Sequence, residues 1–412
     1  MIEAVRGKAL PRLLRRYLLG MILLALLSVT SCLTAAHSAR PWWRINGHDL
    51  MMFADQFKLF RRPGFWNFPD NPFTYPAPPA LVFAAIYKLG HAWRDYTLAC
   101  GVFALAWACW LATGLHRRGV SLASACVFAG VALATSWPIY FQLDSANIEA
   151  VVSVVLALGV LASWRGRWWW AAVLIGLAGA LKIFPLVLLG LVLSQRKYKE
   201  FATGVATAFV VTVGSLAYVG PTIVEARHGV ASGLLSLRRY NLVPGTPMVA
   251  NHSLWMLIKW AWVKVDWHLG PIDLAREYHT FAAMLNIYVV TSAILGTALY
   301  VLWIRRLPLL NQILCLTICA VLLPPTSMDY TLLHLLVPFG LLCMELATVS
   351  GESSNTKGMT LCLLCFAVIF SADTFLDLYG DASSQIRTIA LLGLLATVLR
   401  YRFQTSAETV TV

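Results

Sequence analysis

Charge is what this 412-residue sequence has least of. Asp, Glu, Lys and Arg together make up 12% of it, about half of the roughly 25% usual in a soluble globular domain. Hydrophobic residues make up 59%, and mean hydropathy is +0.70. Those values exclude an ordinary soluble domain and leave an integral membrane protein. Negative charge is scarcest, with 19 acidic residues against 32 Lys and Arg and a net charge of +13. In a soluble protein that excess would point to nucleic acid. Here many of the bases serve as cytoplasmic anchors of membrane helices, and no nucleic-acid partner is expected. No Asp-x-Asp pair occurs, so nothing demands a divalent metal, and no cofactor is expected. The nine cysteines all fall in apolar segments, none in a polar loop where an extracytoplasmic disulfide would form. Cys362-x-x-Cys365 has zinc spacing but no His or second pair beside it, so it reads as packing. No repeat, low-complexity tract or soluble domain interrupts the chain.

What is present is a series of apolar runs. They lie at about 17–36, 96–115, 120–136, 147–164, 168–181, 183–194, 199–219, 286–304, 307–323, 330–347, 357–372 and 385–400. The fold class expected is therefore an all-α polytopic membrane protein of about twelve transmembrane helices. Arg6, Lys8, Arg12, Arg15 and Arg16 precede the first run, which is long enough to span and reads as an uncleaved helix entering from the cytoplasm. Putting Arg117-Arg118, Arg165-Gly166-Arg167, Arg196 to Lys199, Arg305-Arg306, Lys357 and Arg400 inside gives a consistent alternation, with both termini cytoplasmic. The setting expected is a bacterial plasma membrane. This alternation requires the apolar stretch 77–93 to lie on or re-enter the membrane without crossing it. It also favours two short helices around Lys182 over one kinked helix with a lysine facing lipid.

One outer face then collects the hydrophilic features: the loop from His37 to about Asp95, the turn Trp137–Asn147, the segment 220–285 and the turn Pro324–Tyr330. The 220–285 segment mixes four tryptophans with Arg238, Arg239, Lys259 and Lys264, the pattern of amphipathic helices resting at the interface. Outer-face bases contribute nothing to orientation, and binding a phosphate at the membrane surface is the economical account of Lys58, Arg61, Arg62 and Lys182. Headgroup contact is the plainer reading of any single loop base. Asp49 and Asp55 are six apart and would not share one metal or proton on a helix, so one could be a general base while the other is structural, and a carboxylate after Gly47-His48 could equally serve a helix start. A sugar donor whose leaving group is an anionic lipid phosphate needs little acid assistance; the acceptor hydroxyl must lose its proton, and cations stabilise the developing phosphate charge. His252 and His334 lie near the outer face, within reach of a sugar.

These residues resemble the GT-C integral-membrane glycosyltransferases that use polyprenyl-phosphate sugars, and within them the family-87 type of mannosyltransferase. The resemblance spans roughly residues 45–345. It rests on Gly47-His48-Asp49, Tyr75-Pro76-Ala77-Pro78, Asp144-Ser145-Ala146-Asn147, the run Gly176 to Pro185, Asn251-His252-Ser253-Leu254 and Ser327-Met328-Asp329-Tyr330. It departs from the family's pattern at Asp144-Ser145, His252, Met328 and Tyr330, which bears on sugar and acceptor more than on fold. The resemblance implies Asp49 as the base and Lys182 as a phosphate contact.

The expectation is one glycosyltransferase-like domain over 1–412, with a first extracytoplasmic loop at 37–95 and a long one at 220–285. The resemblance implies transfer of a hexose, with mannose the expected sugar, from a polyprenyl-phosphate-linked sugar donor to a glycan or glycolipid acceptor in the lipid bilayer, with inversion. Asp49 is the base, Lys182 with Arg61 or Arg62 holds the phosphate, and Tyr75, Asp144, Asn147, Asn251, His252, Asp329 and Tyr330 complete the substrate pocket. The competing class is a secondary transporter or lipid flippase, which predicts ionisable residues at mid-depth in several spans and internal symmetry. Apart from Lys182 the runs look clean.

Overall fold

The computed structural model describes residues 8–34, 74–243, 250–266, 274–348, 354–372 and 382–403. The described part is all-α: helices α1 (Arg12–Thr34), α2 (Ala77–Lys88), α3 (Ala92–Arg117), α4 (Leu122–Ala134), α5 (Trp137–Ser145), α6 (Glu149–Trp164), α7 (Trp168–Leu181), α8 (Leu189–Ser194), α9 (Tyr198–Val219), α10 (Ile223–Leu242), α11 (Leu254–Asp266), α12 (Leu274–Leu302), α13 (Leu309–Leu322), α14 (Leu336–Leu346), α15 (Ser354–Phe370) and α16 (Ser383–Arg400). Three 3₁₀ segments join them at Phe184–Leu188, Ile304–Arg306 and Asp329–Leu335. Local sequence explains several boundaries. Ser121 Oγ accepts the Ser124 amide and Thr222 Oγ1 that of Glu225, capping α4 and α10. Pro78 and Pro79 sit in the first turn of α2, where no backbone donor is needed.

Every apolar run is helical, but length separates them. Five helices are long and apolar enough to cross a membrane, six if the α4–α5 pair, bent by 47°, is one span. Twelve full crossings are therefore not what the described residues display: runs such as 147–164, 168–181 and 307–323 form helices of 10–17 residues, short of the ~20 a bilayer needs. At the bundle centre, every residue of α14 and every residue of α13 after Leu309 is buried.

Within the stretch 77–93, Ala77–Lys88 forms one short helix. Helix α2 has 12 residues, about 18 Å at 1.5 Å per residue, against a hydrocarbon core of ~30 Å. Tyr75 before it and Tyr96 after it both bond Asn147, so the chain leaves and returns at one level. The Lys182 region also forms two pieces. Lys182 is extended (φ −145°, ψ 138°), and the chain folds back there: Gly204 of α9 lies against both Ala172 of α7 and Leu189 of α8. Lys182 is the tip of this helical hairpin. Helix α7 is pressed against α9, where a Cβ on Gly176 would come within 2.2 Å of the Gly204 carbonyl oxygen.

The 220–285 segment differs from expectation at its end. Helix α12 begins at Leu274, not near 286, because no Gly or Pro separates the amphipathic stretch from the apolar run. The polar connections sort into two ends of the bundle. At one, Lys8 pairs with Val120, Arg118 bonds Glu345 at 2.7 Å, and Asn311 donates to the Val398 and Tyr401 carbonyls. At the other, the segment around Asn251 bridges to Met328 and Trp137 bonds Asp329.

Candidate functional site

Helix α5 ends on Ala146 in the left-handed region (φ 51°), which turns Asn147 inward, where it is fully buried. Its carbonyl accepts from Tyr96 Oη at 2.5 Å and from Gln142 Nε2 at 2.6 Å. Its Nδ2 donates to Tyr75 Oη at 2.5 Å. Its Oδ1 accepts the Glu149 amide at 3.1 Å, starting α6, and Lys182 Nζ at 3.3 Å. The Glu149 carboxylate, also fully buried, takes Lys182 Nζ on Oε2 and His334 Nε2 on Oε1. Ser153 Oγ stands 3.4 Å from His334 Nδ1. The Lys182 ammonium lies over the Tyr330 ring at 4.8 Å and the Tyr75 ring at 5.5 Å, cation–π distances.

A cavity of about 550 Å³ opens beside this cluster. Lys182, Tyr75, Tyr330, Thr74 and Thr326 stand on its wall, and most of the rest is aliphatic: Ile183, Leu186, Val187, Leu234, Val289 and Leu323 among others. It is a largely apolar space with the Lys182 ammonium on its wall. Among the described residues, no group of three or more His, Cys, Asp or Glu could hold a metal.

Other predicted residues form a second, separate network. Asp329, His252 and Arg387 are completely buried. Asp329 Oδ2 accepts Arg387 Nη1 at 2.5 Å and Trp137 Nε1 at 2.8 Å, and Oδ1 accepts His252 Nδ1 at 3.1 Å. Burial, partly offset by Asp329, holds the His252 imidazole below its ordinary range. Its Nε2 stands 3.2 Å from Ser327 Oγ. Asn251 Oδ1 accepts the Ser253 and Ser327 amides at 3.1 and 3.2 Å. This network clamps the 250–253 and 327–331 segments together.

Of the predicted site residues, Lys182, Tyr75, Tyr330 and Asn147 thus converge, the first three on the cavity. Asn251, His252 and Asp329 cluster away from its lining. Asp144 is half-buried on α5 and does not line it. Asp49, Arg61 and Arg62 lie outside the described residues. Lys259, an expected headgroup or phosphate contact, is buried and donates to the Asn241 and Val243 carbonyls at 3.2 and 2.6 Å, closing the C-terminus of α10.

Sequence reasoning missed Glu149 and Arg387 and took the runs other than the one at Lys182 as clean. Glu149, Glu345 and Arg387 are charged, buried and helical. The signal was available: an ionisable residue within or at the edge of an apolar run is a functional candidate by default, a rule applied to Lys182 but not to Glu149.

Residues 73–325, more than half of the chain, match the profile of Glycosyltransferase family 87. No curated protein and no solved structure matches the chain. The matched region holds Tyr75, Asn147, Glu149 and Lys182, and it begins after Asp49, Arg61 and Arg62.

Proposed function

The chain belongs to glycosyltransferase family 87 and is a membrane glycosyltransferase; from that premise we propose that it transfers a hexose, mannose by preference, from a polyprenyl-phosphate donor to an acceptor hydroxyl. Membership already decides between enzyme and transporter. The observation that carries the donor class is the cavity: an aliphatic space of about 550 Å³ with the Lys182 ammonium on its wall. That is the complement of a prenyl chain ending in a phosphate, since apolar walls take the chain and the ammonium meets the anion.

In this reading the prenyl chain lies along Ile183, Leu186, Leu234 and Val289, with its phosphate toward Lys182 and the phenols of Tyr75 and Tyr330. Arg61 and Arg62 add charge from the first loop. Asp49 removes the proton of the acceptor hydroxyl as it attacks the anomeric carbon from the face opposite the phosphate, inverting the configuration. The phosphate leaves as an anion and needs no proton, so cation stabilisation is the main catalytic contribution. The site faces the extracytoplasmic side. Asp144 and the 250–253 and 327–331 segments bound the sugar and acceptor region.

The test is to incubate the purified protein with polyprenyl-phosphate-mannose or polyprenyl-phosphate-glucose and a glycolipid acceptor, and to measure released carrier phosphate. Release from the mannosyl donor is expected. Asp49→Asn is expected to lose transfer by a factor of about 10²–10⁴ while still binding the lipid. Full turnover by Asp49→Asn removes that residue from the base role; no release with either donor removes the donor class.

A further inference from the structure

The proposed chemistry leaves one buried group without a task. Glu149 is not needed as a base and touches no part of the cavity, yet its carboxylate is completely enclosed between Lys182 and His334. A carboxylate at that depth requires a compensating cation, and removing one partner of a buried ion pair leaves a strongly unfavourable charge. Any anion that draws Lys182 toward the cavity therefore poses a problem for Glu149.

Resting on the reading that Lys182 takes the donor's phosphate, we infer that Glu149 is a positioning residue that parks the Lys182 ammonium while the site is empty. When a lipid phosphate draws the ammonium away, His334 takes one proton from water and becomes the counter-ion of Glu149. Binding of the lipid phosphate is thereby coupled to uptake of a proton.

Three features carry this. Lys182 and His334 occupy different oxygens of Glu149, Oε2 and Oε1, so loss of the ammonium leaves the imidazole bond intact. Ser153 Oγ, 3.4 Å from His334 Nδ1, is a hydroxyl that can donate to a neutral ring nitrogen or accept from a protonated one, so both states of the ring are accommodated without rearrangement. Lys182 reaches Glu149 from a hairpin tip whose backbone is extended at that residue. Its side chain is 12% exposed, against none for Glu149 and His334, so the ammonium is the member of the triad with access to the cavity. Among the described residues, the other titratable groups placed against the triad are the phenols of Tyr75 and Tyr330, which face the ammonium, and Tyr96, bonded to the Asn147 carbonyl, and none of these three carries a positive charge.

The experiment uses the full-length protein in lipid nanodiscs and undecaprenyl phosphate as the probe. Calorimetry in buffers of differing ionisation enthalpy counts protons, and a pH series reads affinity. One proton is expected to be taken up per lipid bound, with affinity falling as pH rises by up to about tenfold per pH unit. Glu149→Gln keeps hydrogen-bonding groups but removes the charge. It is expected to bind about tenfold more tightly, because the ammonium is no longer neutralised, and to lose both the uptake and the pH slope. His334→Gln is expected to lose the uptake as well. The lipid's own phosphate, pressed against a cation, gives up protons, the opposite sign. Wild-type binding without proton uptake overturns the role given to Glu149, and that measurement decides even if a variant fails to fold. Lys182→Gln separates the two readings: if it binds undecaprenyl phosphate as tightly as the wild type, the phosphate contact itself has failed.

Discussion

At the scale of single residues, the buried charges show what a lysine or carboxylate does when bulk water is removed. Lys259 projects from α11 with its ammonium on two carbonyls that end α10 and over the Phe281 ring at 5.5 Å. Burial lowers its affinity for a proton to a pKa of about 8, with Glu277 opposing the shift. The sign follows directly. Between about pH 8 and the ordinary lysine value near 10.4, the unfolded chain holds a proton that the folded protein has released. Stability contributed through Lys259 therefore rises with pH across that window. Lys259→Met removes the titration, so the melting temperature of the wild type is expected to gain on that of the variant as pH is raised from 8 to 10. A constant difference would show that Lys259 keeps its proton. This residue also marks where sequence stopped being informative. A lysine on an amphipathic stretch between tryptophans has the same local signature whether it meets headgroups or helix carbonyls, because the partner comes from α10, 16 to 18 residues away. Lys182 was legible because an ionisable residue between two apolar runs has few tolerable places. Glu149 was equally legible by that rule and was overlooked; its partner His334 lies 185 positions away.

At the scale of elements, close approach decides the hairpin that presents Lys182. Helices α7 and α9 meet with almost no side chain between them, as interfaces between membrane helices commonly do. A Cβ at Gly204 would stand 2.8 Å from the Ala172 carbonyl oxygen and 2.6 Å from a Leu189 methyl. Only the methyl can rotate aside; the carbonyl belongs to a helix backbone. Gly204→Val should therefore push the two helices apart and cost about 1–3 kcal/mol, and by moving the α7–α8 tip it should reduce transfer activity as well. Gly214, in the same helix, has nothing within 4 Å of its Cβ position, so Gly214→Ala is expected to leave melting temperature and activity unchanged or slightly raised. Equal behaviour of the two variants would remove the close crossing as the cause. The hairpin itself was readable beforehand, since a lysine with Pro185 behind it cannot sit comfortably mid-helix in lipid. The early start of α12 was not, because an amphipathic stretch that runs into an apolar one carries no stop signal.

At the scale of the whole molecule, several connections that the distribution of bases would put on one side are in contact with one another. Segments assigned to one side by short basic loops touch one another, as Lys8 does Gly119 and Ser121 and Arg118 does Glu345. Segments assigned to the other side meet around Asn147 and Asp329. The full count of crossings was less readable, because hydropathy registers an apolar run whatever the length of the helix it forms, and the runs at α7 and α8 form helices shorter than 18 residues. The consequence most open to measurement is the level of the α2–α3 turn. If α2 lies at the outer surface, a single cysteine in place of Leu89, 66% exposed in that turn, shares a side with one in place of Thr222. Cysteines replacing Gly166 or Arg305 fall on the other. In a cysteine-free background in intact cells, a membrane-impermeant maleimide should label the first two directly and the second two only after permeabilisation. Labelling of the Leu89 position together with Gly166 would mean that α2 crosses. Tyr75 and Tyr96 would then stand on opposite faces, where they could not both bond Asn147, and the cavity beside Lys182 would lose one of its walls.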